Sequence, residues 1–357
     1  MSIKDRQSTF SGTKEVDQRL VFDLHRLTEY LTTRLDDFDG RVLSIKQFKG
    51  GQSNPTYLIE TSRDRFVLRR KPPGKLLKSA HAVEREYKVL SALSDTDVPT
   101  PKTWLLCEDE EVIGTAFYLM EFVTGRTFWD PLLPQLPLSQ RRQAYLRSCE
   151  ALATLHQVNP EQVGLADFGR PGNYIERQVS RWTKQYLASE IEHVPAAHAL
   201  MAWLPERIPE QTATSIVHGD PKLDNMIFYE DKLEVAAILD WELATLGNPL
   251  ADLGYLLMPF HLPNVGIYPG LGDENFKEHG IPSAEEMADH YCEKMGRPPL
   301  DNVSFYIVYN MYRVVCILQG IAGRVRDGTA TSPHAVQMGS LVSPFAERAW
   351  SLAQTLP

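Results

Sequence analysis

One short segment carries polar side chains whose spacing could do chemistry. Residues 218–225 read HGDPKLDN, and Asp240 follows after a polar turn at Glu230-Asp231 that is flanked by two strand-like runs. This pattern predicts a hairpin, and antiparallel pairing would place Asn225 and Asp240 side by side at its open end. A carboxamide oxygen and a carboxylate are hard ligands that suit Mg²⁺. Asp220, on the preceding loop, can present its carboxylate to a hydroxyl group.

This layout is that of phosphoryl transfer in kinases. There, one loop Asp accepts the substrate proton, an Asn binds Mg²⁺ and a second Asp holds the bridging Mg²⁺. We therefore predict Asp220 as the catalytic base and Asn225 and Asp240 as metal ligands. Protein kinases have H-R-D and D-F-G where this chain has HGD and DWE. Because Gly219 replaces the arginine that senses a phosphorylated activation loop, we expect no phosphorylation switch.

A glycine turn in the first part of the chain is a candidate nucleotide loop. Gly50 and Gly51 separate two strand-like runs, and Ser53 and Asn54 follow. Backbone N–H groups and the Ser53 hydroxyl could reach phosphate oxygens there, because glycine permits close approach. The alternative is an ordinary hairpin turn.

A strand and a helix after this turn carry the next candidates. Period-two alternation puts Val67 and Arg69 on one strand face. If that face looks into the cleft, Val67 would cover the adenine and Arg69 would contact the phosphates. Kinases have lysine where this chain has Arg69, and the forked guanidinium changes the geometry of phosphate contact. Lys71 is the alternative cation. Glu86 on the next helix is expected to pair with Arg69, with Glu84 as its competitor.

A hinge and a lysine complete the predicted site. In the layout of kinases, Met120, Glu121 and Val123 would correspond to the inter-lobe hinge, with the Glu121 C=O and the Val123 N–H bonding the adenine edge; a plain buried strand is the alternative. Lys222 would neutralise charge on the migrating phosphoryl group, unless it is a surface lysine. His156, on an apolar helix face, is expected to be a core histidine.

The pattern of elements predicts an α+β chain with two lobes. An amphipathic helix over 15–38 precedes strands near 42–48, 57–60 and 65–70, a helix over 81–93 and strands over 112–114 and 115–123. Helices are then expected near 139–156, 175–189, 305–325 and 336–356. A small β-rich lobe (1–123) followed by a larger helical lobe (124–357) leaves a cleft as the default ligand site.

Composition excludes several classes of function. The 357 residues are 43% hydrophobic with a net charge of −9, which argues against a disordered chain, a general nucleic-acid binder or an anionic-membrane binder. Four cysteines without a C-x-x-C pair indicate reduced thiols in a cytoplasmic protein. The first ten residues show no secretory signal, and charged and proline residues interrupt the most apolar stretch, 251–268, so we expect no membrane span there.

The sequence resembles the aminoglycoside phosphotransferase and choline kinase group, small-molecule kinases with a protein-kinase-like fold. The runs GGQSNPTY (50–57), VLRRKPPG (67–74) and AVEREY (82–87) are similar to the kinase-like domain found fused ahead of acyl-CoA dehydrogenases. The resemblance implies ATP and Mg²⁺ as cofactors and an aspartate, Asp252, that supports the catalytic loop through backbone hydrogen bonds. It also suggests that the phosphate acceptor is a hydroxyacyl-CoA or a related hydroxy acid.

Two functions of different class follow. The favoured one is an ATP- and Mg²⁺-dependent phosphotransferase that acts on a small-molecule hydroxyl group; an aminoglycoside, choline, homoserine or a sugar remains open as acceptor. The aromatic helix around 305–313 could line the acceptor pocket or be a core helix. The alternative is a catalytically silent nucleotide-binding pseudokinase, which Arg69 in the lysine position favours.

Overall fold

The N-terminal part of the chain is built on one antiparallel sheet. The computed structural model describes residues 3–36, 38–50, 54–74, 81–265, 268–330, 332 and 334–357. Within them, six strands pair in the order β1-β2-β3-β4-β6-β5. Their bounds are Thr13–Lys14 (β1), Ser44–Phe48 (β2), Thr56–Glu60 (β3), Arg65–Arg70 (β4), Thr103–Cys107 (β5) and Phe117–Glu121 (β6). The predicted hairpin around Gly50 is confirmed by the antiparallel register of β2 and β3.

Alternation along the strands divides the sheet into two faces. Tyr57 and Leu68 lie in a separate apolar cluster with the helix Leu24–Arg34 (α2). Val67 and Met120 belong to the cluster that continues into the rest of the protein. Because successive side chains of a strand point to opposite faces, β4 and β6 contribute to both clusters.

The N-terminal elements differ from the predictions at four points. The helix expected over 15–38 is shorter, since Asp23 caps α2 with its side chain and a 3₁₀ turn precedes it. The first helix, Ile3–Phe10 (α1), was not predicted. The strand expected at 112–114 is wrong: Asp109 caps a one-turn helix, Glu110–Ile113 (α4), and β5 was missed. The helix Val83–Leu93 (α3) and β4 lie where the sequence placed them.

The C-terminal part is mainly helical. Its long helices comprise Leu138–Gln157 (α5), Tyr174–Ser189 (α6), Pro195–Glu206 (α7), Pro249–Leu257 (α8), Ala284–Lys294 (α9) and Val303–Arg326 (α10); two further helices are Ala335–Gly339 (α11) and Val342–Ala353 (α12). The fold is therefore the predicted α+β class. The sheet ends at Glu121 and α5 starts at Leu138, while the domain boundary at 123/124 stays a prediction.

The α10 helix forms the centre of this helical part. Nearly all of its residues from Phe305 to Gln319 are buried, and it packs on α6, α8 and α12. By length and composition alone it could cross a membrane, but 83% of its apolar window is buried inside the protein. Its apolar surface is therefore explained by contacts with neighbouring helices.

Two small two-stranded sheets interrupt the helices and carry the candidate loop. Ser215–Val217 (β7) pairs with Thr245–Gly247 (β10), and Met226–Phe228 (β8) pairs with Val235–Ile238 (β9). Only the second pair is a hairpin, and it confirms the hairpin predicted between Asn225 and Asp240. The loop of residues 218–225 therefore connects a strand of the first sheet to a strand of the second.

Close backbone contacts hold the segment after β6 against the β8–β9 hairpin. Arg126 and Phe228 exchange two backbone hydrogen bonds, of 2.9 and 2.8 Å. Gly125 makes this possible, since a Cβ there would lie 2.3 Å from the Phe228 oxygen. From α1, the Gln7 amide donates to the Thr127 carbonyl at 3.0 Å, and Phe10 stacks on Trp129. The N-terminal helix thus packs along the same edge of the cleft.

A glycine fixes the distance between α8 and α10. A Cβ on Gly254 would lie 2.6 Å from the Tyr306 carbonyl oxygen. We expect Gly254→Ala to lower the free energy of unfolding by about 1–3 kcal/mol, because overpacking forces the backbone apart. Gly320→Ala in α10 is the matched control: its Cβ would meet the flexible ends of two side chains, Gln185 at 3.3 Å and Arg324 at 3.9 Å. Urea denaturation measures both, and equal losses would contradict the prediction.

Candidate active site

Asp252 holds the loop that carries Asp220. Its Oδ2 accepts a hydrogen bond from the His218 N–H at 2.6 Å, and its Oδ1 accepts one from the Gly219 N–H at 2.9 Å. Asn248 caps α8 by accepting from the Leu250 N–H, so Asp252 lies in the first turn of a fixed helix. The predicted support of the loop by Asp252 is confirmed by these bonds.

His218 orders the same loop from within. Its Nδ1 accepts from the Asp220 N–H at 3.2 Å, and its Nε2 contacts the Leu239 carbonyl at 2.8 Å. Both bonds are satisfied together only when Nε2 carries the proton. Trp241, at the D-F-G phenylalanine position, packs edge-on against the ring with centroids 4.9 Å apart. His156 is the predicted core histidine, held by Tyr291 and Asp252.

Asp220 contacts one neighbour on each side. Its Oδ2 accepts from the Asn225 amide at 2.9 Å and lies 3.3 Å from the Lys222 ammonium. Its side chain is 17% exposed. Lys222 also lies 3.5 Å from Asp224, so one cation bridges two carboxylates. Lys222 is therefore part of the cluster rather than an isolated surface lysine.

These neighbours determine the charge state of the loop. Burial alone would raise the pKa of Asp220, but Lys222, a hydrogen bond with Tyr255 and the nearby Arg313 and His218 together outweigh it, so the pKa is lowered and Asp220 is ionised at neutral pH. Burial opposes the charge of Lys222, yet Asp220 and Asp224 raise the pKa of its ammonium well above the ordinary value. Burial raises the pKa of Asp224, whose charge is then the least favoured of the three.

The β8–β9 hairpin brings Asn225 and Asp240 together as predicted. The Leu239 N–H donates to the Asn225 carbonyl at 2.8 Å, and both Asn225 and Asp240 line one cleft. Asp240 adopts the left-handed conformation, with φ 67° and ψ 60°. A non-glycine residue in this region is uncommon and costs conformational energy. Its carboxylate faces Arg69 across the cleft.

Arg69 joins three elements around one buried cation. Its Nε lies 2.8 Å from Glu86 Oε2, and its Nη2 lies 2.5 Å from Asp240 Oδ1. Glu86 also accepts from Asn54 at 2.7 Å and from the Tyr118 hydroxyl at 3.2 Å. Although burial disfavours the charge of Arg69, Glu86 and Asp240 outweigh it and raise its pKa. The predicted pairing of Arg69 with Glu86 is confirmed.

Some predicted contacts fall elsewhere. Asn54 is fully buried beneath Glu86 and His81, so its side chain supports Glu86 instead of reaching a phosphate. Lys71, the alternative cation, pairs with Glu84, the alternative acid. The predictions for Gly51 and Ser53 concern positions outside the described residues, as does Gln52 between them.

The main cleft has the dimensions and lining of a small-molecule site. Its volume is about 480 Å³, within the usual range for ligand pockets. Predicted residues line it from both sides: Gly50, Val67, Arg69, Met120, Glu121, Val123, Asn225 and Asp240. Thr56, Tyr118 and Trp129 also line it and were not singled out from the sequence. Met120 and Val67 supply apolar walls, while Arg69 and Asp240 make one end charged.

A second pocket of about 180 Å³ adjoins the cleft. Trp129 and Asp224 line both cavities, so the two meet at these residues. Lys222, which lines the second pocket, links this junction to Asp220 through its ion pairs with Asp224 and Asp220. The pocket wall is largely aromatic and aliphatic, with Arg6 and Lys222 as its cations. None of the described α10 residues from 305 to 313 is among its lining residues, so the core-helix interpretation of that segment is correct.

Three residues of this site were missed by sequence reasoning. Arg6 reaches the second pocket from α1, Asp224 lies where the two cavities meet, and Arg313 contacts the Gly219 carbonyl from α10. Only Asp224 had a local signal, since it precedes Asn225 in the motif. The other two depend on segments that are distant in sequence.

Comparison with known proteins identifies relatives over nearly the whole chain. The model of the family described as "Phosphotransferase enzyme family" matches residues 44–277. Acyl-CoA dehydrogenase family member 10 of Mus musculus is 44% identical over 343 residues, which cover 96% of this chain and 32% of that protein. The chain thus spans about a third of that relative.

Solved structures share the fold. A crystal structure from Ralstonia eutropha, named as an aminoglycoside phosphotransferase, is 43% identical with a TM-score of 0.86, covering 94% of this chain and 100% of that one. APH(4)-Ia, in a ternary complex with ADP and hygromycin B, is 13% identical with a TM-score of 0.60, covering 93% and 98%. At that identity the second likeness shows the fold alone.

Arg69→Met tests the buried network. It leaves Glu86 and Asp240 without their cation, so we expect the free energy of unfolding to fall by about 3–5 kcal/mol. Arg70→Met is the matched control, because Arg70 is equally buried on the same strand but contacts the Phe22 ring and the Ile113 carbonyl. Urea denaturation should show a clearly smaller loss for Arg70→Met. Equal losses would mean that burial, rather than ion pairing, determines the effect.

Proposed function

We propose that this chain, which belongs to the phosphotransferase enzyme family, transfers the γ-phosphoryl group of ATP to a hydroxyl group of a small molecule. One observation carries the proposal: the Asp220 carboxylate lies between Asn225, which lines the main cleft, and Lys222, which lines the adjoining pocket. A donor in the first cavity and an acceptor in the second would then meet at one ionised carboxylate.

The nucleotide is proposed to occupy the main cleft. Val67 and Met120 would enclose the adenine, while the backbone at Glu121 and Val123 would bond its edge. Arg69 and the glycine loop, with Gly50, Gly51 and Ser53, would contact the phosphates. Of the neighbours with the same fold, APH(4)-Ia has been solved with ADP and with AMP-PNP, which supports an adenine nucleotide here.

The donor set at the charged end suits Mg²⁺. The Asn225 amide nitrogen is used by Asp220, so its carbonyl oxygen is the atom available to an ion. Asp240 adds a carboxylate that engages Arg69 through Oδ1. Hard oxygen donors of this kind fit Mg²⁺, which usually takes only one or two protein ligands besides phosphate. Bound there, Mg²⁺ would neutralise charge on the nucleotide phosphates.

The chain's own residues would then orient the acceptor. Asp220 is ionised and fixed by Asn225 and Lys222, so it can accept a hydrogen bond from a hydroxyl group and take its proton as the oxygen attacks phosphorus. Lys222 would place a positive charge beside the migrating phosphoryl group. Positioning and electrostatics account for most catalysis in this class of reaction.

The acceptor is proposed to be a hydroxyacyl-CoA or a related hydroxy acid. Phe128, Tyr145, Phe260 and Tyr268 give the second pocket walls that suit an acyl chain, and Arg6 adds a cation. A polycationic aminoglycoside would require a predominantly acidic pocket. Acyl-CoA dehydrogenase names among the relatives also point to acyl-CoA chemistry, although this chain covers 32% of that protein.

A catalytically silent nucleotide-binding module is the second candidate. The observation that favours it is the ion pair between Arg69 and Asp240, which engages one oxygen of the proposed metal ligand. In such a module ATP would bind without turnover. An assay of ADP release therefore separates the two functions.

Release of ADP across a panel of acceptors tests the proposal. We expect turnover with a hydroxyacyl-CoA or its hydroxy acid and little with choline or an aminoglycoside. Asp220→Asn should lower kcat by about 10²–10⁴-fold, because it removes the base, while the thermal shift on adding MgATP is retained. Nucleotide binding without ADP release for any acceptor would favour the silent module, and full activity of Asp220→Asn would refute the role of Asp220.

A thermal-shift titration tests the metal ligands. Asp240→Asn should weaken binding of MgATP by at least about tenfold, because it removes the anionic ligand, and should abolish the difference between ATP with Mg²⁺ and ATP with EDTA. Asp231→Asn, at the exposed turn of the same hairpin, is the matched control. An unchanged Mg²⁺ dependence in Asp240→Asn would place the ion elsewhere.

A further inference from the structure

A buried arginine from a distant helix contacts the catalytic loop. Arg313 lies on α10, is 7% exposed and donates from Nη1 to the Gly219 carbonyl at 2.6 Å. Its guanidinium lies against the Trp182 ring, at 5.6 Å, and the Tyr255 ring, at 5.1 Å. Ninety-four positions separate it from Gly219. Burying a guanidinium is costly, so this position calls for a specific partner.

The carbonyl that Arg313 binds belongs to the peptide that joins Gly219 to Asp220. The N–H of the same peptide donates to His218 Nδ1 at 3.2 Å, and the preceding peptide is held by Asp252. Both polar groups of the peptide are therefore engaged. Rotation of this peptide would move the Asp220 backbone and with it the carboxylate, so Arg313 restricts the group that must face the acceptor.

The loop cannot carry this cation itself. Gly219 has φ +88°, and a Cβ there would lie 2.9 Å from the Leu243 carbonyl oxygen. An arginine at position 219, as in the H-R-D pattern, would be strained and would clash. In the described structure, the guanidinium that contacts this backbone therefore comes from outside the loop, from Arg313 on α10.

The same helix is tied to the element that holds the loop from the other side. The Asn310 amide donates to the Ala251 carbonyl of α8 at 2.8 Å, one residue before Asp252. Asn310 and Arg313 are three residues apart and share one helix face. The packing of α10 on α8 therefore determines where both Arg313 and Asp252 contact the loop.

We propose that Arg313 is a positioning residue that fixes the Gly219–Asp220 peptide, and thereby the Asp220 carboxylate, permanently and without any phosphorylation. The catalytic consequence rests on the proposed function, whereas the effect on the loop does not. A charge-assisted hydrogen bond from a buried guanidinium is strong. It holds the loop whether or not a substrate is bound.

Hydrogen exchange of the whole protein tests the effect on the loop. We expect Arg313→Met to speed exchange of the amides in 217–226 by roughly tenfold or more, as expected for loss of a hydrogen bond to a charged donor, with Arg313→Lys intermediate. Gln319→Met is the matched control, because Gln319 is buried on the same helix and donates to the Ser189 carbonyl at 2.6 Å, away from the cleft. It should leave exchange in 217–226 unchanged. Equal acceleration by the two methionine variants would overturn the proposal.

Steady-state kinetics test the catalytic consequence. Misplacement of Asp220 should lower kcat by about 10–100-fold in Arg313→Met, with little change in the KM for ATP, partial recovery in Arg313→Lys and no loss in Gln319→Met. If Arg313→Met does not fold, Arg313→Lys is compared with Gln319→Met instead. Faster loop exchange with normal kcat would overturn the positioning role while leaving the phosphotransferase intact. Absence of turnover in the wild type would refute the proposed function. The hydrogen-exchange comparison would still show whether Arg313 restrains the loop.

Discussion

The alignment of the two parts of the protein depends on the ion pairs of one buried guanidinium, that of Arg69. It lies on β4, pairs with Glu86 on α3 and meets Asp240 at the end of the β8–β9 hairpin. A buried charge without partners is costly, so the three elements must be aligned for the network to be satisfied. Asn54 and Tyr118 complete it by donating to Glu86. The alignment of the sheet with the C-terminal hairpin is therefore an electrostatic requirement.

The catalytic loop is held by a second, independent set of contacts. Asp252 binds two of its N–H groups, His218 bonds to the Asp220 N–H, and Arg313 binds a carbonyl. All of these groups belong to the folded protein, and none requires a modification.

The two cavities beside the loop differ in the chemistry of their walls. The larger cleft has apolar walls and one charged end, whereas the smaller pocket is mainly aromatic. They share Asp224 and Trp129, and the first helix packs along this edge through Phe10 and Gln7. Segments from the start and the middle of the chain therefore converge at the junction.

The pairing of Arg69 with Glu86 was expected from the layout of kinases, whereas local patterns in the sequence were sufficient for the loop at 218–225 and the hairpin after it. These last two rest on spacing within one loop or strand, and such spacing is fixed by backbone geometry. The short elements α4 and β5 were not readable, because a few residues give too little periodicity to separate helix from strand.

Only the tertiary structure decided where Arg313, Arg6 and Asn54 act. Arg313 and Arg6 reach the site from elements far away in the chain, and Asn54 turns away from the cleft toward Glu86. Sequence spacing fixes which residues share a face of one element, but not which faces meet. That choice comes from packing of whole helices and sheets, as when Gly254 allows α8 to approach α10 and Arg313 is carried to the loop.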